Sequence, residues 1–193
     1  MAIDYYTPIS LNRIDDSLQR EILSACNVDV ELCLECGKCS GGCPNGHVFD
    51  YTPRKIVQLV KLGEEKTLMT MDALWICLSC HLCLDRCPSG IDIPRILDYI
   101  REKACQTGAK VSRPRVRLFY DLVLKSVSKR GHVSEMFVAL RYNWETRQYM
   151  KDARLGIKML LKGKLTPFGK RMKKKEEVRK LFEKSVIARD LDK

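Results

Sequence analysis

At 193 residues and 45% hydrophobic content, the chain is long enough for one sizeable domain or two small ones, with a core that needs no covalent staple. Its longest apolar stretches, such as residues 159–161 and 137–140, fall far short of the roughly 18 residues a membrane-spanning helix requires, so a transmembrane segment is excluded. The net charge of +11 is unevenly placed: residues 1–100 hold 9 Lys+Arg against 14 Asp+Glu (net −5), and residues 101–193 hold 26 against 10 (net +16).

In chain order, residues 1–10 include Asp4 and no basic residue precedes Arg13, so the charged start and apolar middle of a secretory signal are missing and a cytoplasmic location is expected. A helix is predicted over residues 15–25, with Ile14, Leu18, Ile22 and Leu23 near 3.6-residue spacing and Asp15 or Asp16 as N-cap. It leads into a first cysteine run. Thr52 followed by Pro53 then opens a second helix, whose stripe of Ile56, Leu59, Val60 and Leu62 ends at Gly63. A short turn over residues 70–75 delivers the chain to a second cysteine run, and Pro94 opens a helix carrying Ile96, Leu97, Tyr99 and Ile100. Beyond residue 111 the pattern is one of amphipathic helices: Val116, Phe119, Tyr120, Val123 and Leu124; then Met136, Phe137, Leu140 and Trp144; then Leu155, Met159 and Leu160. A basic stretch with Lys170, Arg171, Lys173, Lys174 and Lys175 precedes a weaker helix with Val178, Leu181, Phe182 and Val186. Strand-like alternation is absent, so the expected fold is all-α with ligand-binding loops. Four segments follow: 1–30, an N-terminal helical segment; 31–108, a cysteine domain; 109–168, a helical docking region; and 169–193, a basic tail.

Eight of the ten cysteines lie in the two runs, and in a reducing compartment such clustering points to metal and not to disulfides. Cys33, Cys36, Cys39, Cys43 and Pro44 align with Cys77, Cys80, Cys83, Cys87 and Pro88 at an offset of 44 residues, so the domain contains a repeat. The spacing C-x2-C-x2-C-x3-C-P lets three thiolates of one loop grasp an iron-sulfur cube while the fourth points to the neighbouring cube. Two [4Fe-4S] clusters are expected: cluster 1 on Cys33, Cys36, Cys39 and Cys87, cluster 2 on Cys77, Cys80, Cys83 and Cys43. Gly37, Ser40, Gly41 and Gly42 leave room for the backbone to approach the cube. Structural zinc is the competing reading, but zinc ribbons use two separated cysteine pairs. Cys26 and Cys105 read as small buried hydrophobes. His47 and His81 are either hydrogen-bond donors near the clusters or exposed loop residues. Trp75 reads as a shield against water. Dinucleotide, phosphate-loop, nucleophile-elbow and zincin motifs are absent, and with eight thiols consumed as ligands no iron is left open for substrate. A relay of electrons is expected, with no catalytic residue.

The two runs with an amphipathic helix between them resemble the α-helical ferredoxin module of multi-subunit oxidoreductases. Residues 32–44 and 75–88 most resemble the C subunits of archaeal heterodisulfide reductases, as does the length of the chain; residues 166–170 look similar but are less diagnostic. The resemblance implies a small protein that passes electrons from the flavin- and cluster-bearing A subunit of such a complex to its catalytic B subunit. There the mixed disulfide of coenzyme M and coenzyme B is reduced to two thiols, in methanogenesis, within an assembly linked to hydrogenase or formate dehydrogenase. Catalytic subunits of that family carry Cys-Cys-Gly repeats, and this chain has no adjacent cysteine pair. The iron-sulfur subunits of glycolate, lactate and glycerol-3-phosphate dehydrogenases are the alternative within the same module. An alternative of another class, a zinc protein whose basic half binds nucleic acid or an anionic membrane, rests on charge alone, and a charge run is usually a solvated or docking face.

Overall fold

The computed structural model describes residues 15–148, 156, 158, 159, 161–163 and 175–184. It divides into two units, Met1–Arg113 and Pro114–Lys193, and among the described residues every regular element is helical.

In the first unit, α1 (Ser17–Cys26) starts beside Asp15, whose Oδ1 accepts from Ser17 N at 2.9 Å, and stops at Asn27 in the left-handed conformation. It buries Leu18, Ile22 and Cys26; Ile14, expected on the same stripe, lies outside the described residues. A 3-10 turn (Val30–Leu32) leads into the first run, which contains α2 (Lys38–Gly41). The predicted proline opens α3 (Pro53–Lys61), with Thr52 at the N-cap position, but the cap bond comes from elsewhere: Ser40 Oγ accepts from Arg54 N at 2.9 Å. Past its end, Gly63 sits at φ +70°, and a Cβ there would stand 2.5 Å from the Asp15 carbonyl oxygen. Glycine is thus required both by conformation and by the approach of α1.

Residues 70–75 are not the simple turn expected: α4 (Glu65–Thr70) and α5 (Ala73–Ile76) meet there. The physical reason is Asp50, whose Oδ2 accepts from Asp72 N at 2.6 Å and Oδ1 from Ala73 N at 2.9 Å, satisfying the first donors of α5 from a distant loop. The second run contains α6 (Leu82–Asp85), and α7 (Ile93–Gln106) follows with Pro94 in its first turn and Asp92 accepting from Arg95 N at 3.1 Å. Contacts of α1, α3, α4 and α5 with one another and with α7 build the core, in which Ile22, Ile56, Leu59, Leu68, Leu74, Ile96 and Leu97 are almost fully buried. Its rim is polar: Lys103 Nζ pairs with Glu21 at 2.6 Å and Glu65 at 2.9 Å, and the Tyr99 hydroxyl donates to Glu21.

The second unit holds α8 (Pro114–Arg130), which packs on α9 (Glu135–Glu145) and on α10 (Lys175–Lys184). Here the expected apolar stripes do not mark the buried face. Leu122, Ser126 and Val138 are buried, whereas Phe119 and Tyr120 are exposed and Leu140 is 66% exposed. Apolar residues surround most of α8, so spacing alone selects no side. Ser126 is buried without penalty because its hydroxyl accepts from Ser134 N at 2.9 Å and donates to the His132 carbonyl at 3.3 Å, closing the turn into α9. The stripe of Leu155, Met159 and Leu160 lies mostly outside the described residues; the basic residues 170–174 and Val186 lie wholly outside them.

Candidate iron-sulfur site

The sequence repeat is a structural repeat. Ser40 N to Gly37 O (3.0 Å) is matched by Leu84 N to His81 O (2.9 Å), and Gly42 N to Lys38 O (3.2 Å) by Arg86 N to Leu82 O (3.3 Å). The bond that closes each run, Gly46 N to Cys43 O, matches Gly90 N to Cys87 O, both at 3.2 Å. Two left-handed residues recur in each run: Glu35 (φ 52°) with Ser79 (φ 48°), and Gly37 (φ 76°) with His81 (φ 59°). Such alternation folds the chain tightly between thiols and turns successive N–H groups toward one concave side, a cradle for negative charge. His81 takes a conformation in which glycine serves the first run, an uncommon place for a side chain. The short helices α2 and α6 touch each other and bring the runs together.

Cys43, the last thiol of the first run, lines the same cavity as Cys77, Cys80 and Cys83 of the second, with Ile56, Pro94 and Leu97 among the apolar walls. Burial pushes the Cys77 thiol up, with Cys43 and Cys80 adding to the push and the Ser79 amide and Arg101 opposing it. Cys83 is pushed up to about 12, chiefly by burial and by neighbouring Cys77. In the first run, burial raises Cys39, Cys33 adds to this, and the Ser40 hydroxyl and amide oppose it. The Leu84 amide does the same for Cys83, one repeat away. Cys87 accepts from Ile91 N at 3.3 Å, and Cys36 and Cys80 face solvent. Thiols gathered in an apolar cavity resist ionisation until a cationic group joins them. Among the described residues no three His, Cys, Asp or Glu side chains are grouped closely enough to hold one metal ion; the four cysteines that line the cavity offer the thiolate donors that iron-sulfur clusters take.

Other residues singled out by sequence fall into place individually. Cys26 is 2% exposed with its thiol 3.8 Å from the Arg95 carbonyl oxygen, and Cys105 is half-buried on α7. His47 is exposed; His81 lines the cavity, its Nδ1 3.9 Å from Asp92 Oδ1. Trp75 is buried at 3% exposure. Sequence reasoning missed Asp50, Asn45, whose Nδ2 donates to the Ile76 carbonyl at 3.1 Å, and Arg101, which donates to the Leu74 carbonyl, all tied to the segment before the second run, and it missed the bond by which Ser40 ties the first run to α3. No local pattern marks them, because each reaches across 14 to 31 residues of chain.

Residues 29–91 match the 4Fe-4S dicluster domain. Over 105 residues the chain is 36% identical to the C subunit of the ferredoxin:CoB-CoM heterodisulfide reductase of Methanosarcina mazei, an alignment that covers 54% of this chain and 63% of that one. The C subunit of the H2:CoB-CoM heterodisulfide,ferredoxin reductase of Methanothermobacter thermautotrophicus is 31% identical over 100 residues, 52% of this chain and 54% of that protein. The iron-sulfur C subunit of the CoB–CoM heterodisulfide reductase of Methanopyrus kandleri is 31% identical over 134 residues, 69% and 61% of the two chains. The chain therefore spans less than two thirds of the length of these curated relatives. No helix among the described residues is long and apolar enough to cross a membrane. The doubled cysteine run, the cavity shared between the runs and the match over residues 29–91 lead to one conclusion: this is an iron-sulfur chain with a 4Fe-4S dicluster domain, similar to the C subunits of methanogen heterodisulfide reductases.

Proposed function

We propose that the chain is a non-catalytic electron relay of a cytoplasmic heterodisulfide reductase complex. In this reading it passes electrons from a flavin- and cluster-bearing A subunit to the B subunit that reduces the CoM-S-S-CoB disulfide. A [4Fe-4S] cluster supplies one-electron transfer at potentials set by its hydrogen bonds and exposure. The chain's own residues do the rest. Cys77, Cys80, Cys83 and Cys43 would hold one cluster and, by the repeat, Cys33, Cys36, Cys39 and Cys87 would hold the other. Amides of Ser79, Leu84 and Ile91 point to thiol sulfurs, where they disperse negative charge. Apolar walls keep water from the Cys83 side of the cavity, while exposed Cys36 and Cys80 give each site a face that a partner's cofactor can approach.

The observation that carries the reading is the crossing of the runs, Cys43 sharing a cavity with three thiols from the other run. Crossed ligation places two cubes side by side, the arrangement a relay needs. The names of the relatives support the wider assignment to a heterodisulfide reductase, with ferredoxin or H2 in the names of two of them. Residues 31–108 form the cluster domain of this proposal, and the basic residues beyond 108 supply a docking region and tail for acidic surfaces of protein partners, with no role in nucleic-acid binding.

The test is iron, zinc and acid-labile sulfide analysis of anaerobically purified protein, with electron paramagnetic resonance after dithionite reduction. About eight irons and eight sulfides per chain with two interacting reduced cubes is the expected result. About two zincs and no sulfide would overturn the relay and leave the basic half as the functional element.

A further inference from the structure

The two halves of the cysteine domain touch at a pair of equivalent positions. Gly42 and Arg86 stand 44 residues apart, the offset of the cysteine repeat, and each immediately precedes the last thiol of its run, Cys43 and Cys87. Their backbones are alike, with φ −102° and ψ 0° at Gly42 and φ −90° and ψ −7° at Arg86. Arg86 itself shows that a side chain is compatible with this conformation, so the backbone does not call for glycine at 42. Space calls for it: a Cβ on Gly42 would stand 2.6 Å from both Cδ and Nη1 of Arg86 and 2.8 Å from Cζ. The arginine of the second run thus lies in the slot that the glycine of the first leaves open, where α2 and α6 pack together. When equivalent positions of a repeat meet, the symmetry relating the halves passes between them, so this guanidinium sits at the seam of the two sites. Arg101 and Arg113 are paired with Asp98 and Asp72, but among the described residues Arg86 pairs with no carboxylate and donates to no carbonyl. Within residues 33–43 and 77–87 the other Lys or Arg is Lys38, which aligns with Leu82 and adjoins Cys39, a thiol internal to its own run.

We propose that Arg86 is a counter-charge shared by the two cluster sites, holding both of their reduction potentials up together. The inference rests on the two-cluster reading above. By crossed ligation Cys43 and Cys87 serve opposite sites, and Arg86 is joined to Cys87 through the chain while its guanidinium lies against the residue that precedes Cys43. Four thiolates outweigh the positive charge of a [4Fe-4S] core, so each site is anionic and reduction adds one more negative charge. Two such sites side by side repel, and a cation at their seam lowers the cost of that charge at either one. An arginine with no carboxylate partner brings its charge to the seam uncancelled. Arg86 is exposed, which keeps the effect modest and makes it sensitive to salt. It acts through the field it imposes and touches no substrate; it is a positioning residue for charge.

The experiment is an anaerobic redox titration of the full chain, followed by electron paramagnetic resonance, on the wild type, R86M, R86K, G42A and K38M, with iron and sulfide measured on each. Two one-electron steps are expected in the wild type. R86M, which fills the slot without the charge, lowers both steps alike, by about fivefold in each reduction equilibrium or about 40 mV for one electron. That shift shrinks as salt is raised from about 0.01 M to about 1 M. R86K, which keeps the charge, stays within about twofold of the wild type at both steps. G42A, whose methyl turns the flexible Arg86 side chain out of the slot, lowers both steps by less than R86M does, and because it retains the arginine it carries the test if R86M loses iron. K38M, beside a ligand of one site, moves the two steps unequally. With iron and sulfide complete, a wild-type titration in R86M or G42A, a shift of one step alone, or a shift indifferent to salt overturns the proposal while leaving the relay intact; each is what a side chain that merely packs would give. An even shift of both steps in K38M overturns it too, by making the effect one of overall charge. A wild type without eight irons and eight sulfides sinks the two-cluster reading itself.

Discussion

The cluster-bearing unit and the unit that begins at Pro114 are both helical, yet they use their apolar residues in opposite ways. In the first, α3 and α7 bury the stripes that their spacing defines, and Ile56, Leu59, Ile96 and Ile100 are at most 2% exposed. In the second, α8 and α9 present Phe119, Tyr120 and Leu140 outward and bury Leu122, Ser126 and Val138. The first unit must hold eight thiols in register, which demands a packed scaffold on which loop geometry is fixed. The second carries charge and exposed apolar surface on its helices, an arrangement that suits docking. The contrast makes a graded set of predictions: substitutions in the first unit reach the clusters, and substitutions on the outward stripe of the second do not.

The largest effect comes from the ligands themselves. Cys80→Ala should cost about four of the eight irons, and Cys36→Ala the other four, because each removes one thiolate from one cube. Iron analysis and the visible absorbance of the clusters read this directly, and retention of all the iron in either variant would break the assignment of that thiol. Next in size is the scaffold. Ile56 is fully buried and also lines the cavity of Cys43, Cys77, Cys80 and Cys83, so Ile56→Ala should destabilise by about 2–5 kcal/mol through lost burial and an unfilled void. Because cluster release makes unfolding irreversible, the measure is the rate of cluster loss in denaturant, expected to rise about tenfold or more. An unchanged rate would show that α3 does not support the site.

Legibility in the sequence followed the range of the interactions. The repeat of cysteines, the prolines that open α3 and α7, and the glycine that ends α3 are local signals, and each stands where spacing places it. Helix α5 is not legible locally: Asp72 stands at its N-cap position but makes no cap bond, and the cap is Asp50, delivered by the fold. Thr52 was a sound local choice for capping α3, but Ser40 occupies the bond because α2 packs beside it. Arg101 carries no local signal, because its partner, the Leu74 carbonyl, lies 27 residues away in sequence. In α8 the failure was of another kind: with apolar residues at 116, 118, 119, 120, 122, 123 and 124, the periodicity points in several directions, and the partner helix decides.

A smaller effect is expected at the polar rim of the first unit. Burial, and the hydrogen bond it gives to Glu21, push the Tyr99 hydroxyl up to about 12. A phenol whose pKa is raised by folding contributes stability that is complete below its ordinary value of 10 and is lost as pH climbs from there to about 12. Tyr99→Phe should therefore destabilise by about 1–2 kcal/mol at pH 7, and the gap to the wild type should close between pH 10 and 12. Rates of cluster loss at pH 8 and pH 11.5 compare the two proteins, the remaining tyrosines being common to both. A gap that stayed constant across that range would mean that the Tyr99 hydroxyl does not couple α7 to α1 in solution.

The smallest effect sharpens the comparison from the other side. Leu140 is 66% exposed on α9, so truncating it removes little buried surface and creates no cavity. Leu140→Ala should change stability by no more than about 0.5 kcal/mol and leave cluster-loss rates and iron content at wild-type values. The same leucine belongs to the apolar stripe that spacing marks on an amphipathic helix of the expected docking region. If the stripe were buried in the free protein, the substitution would cost several times more, comparable to Ile56→Ala. If it faces outward as a docking surface, its effect moves from the free chain to the assembled one: Leu140→Ala weakens capture by the partner proteins while the isolated protein keeps its clusters. Measuring both quantities on one variant separates a stripe that holds the fold from a stripe that meets a partner, which inspection of its spacing could not do.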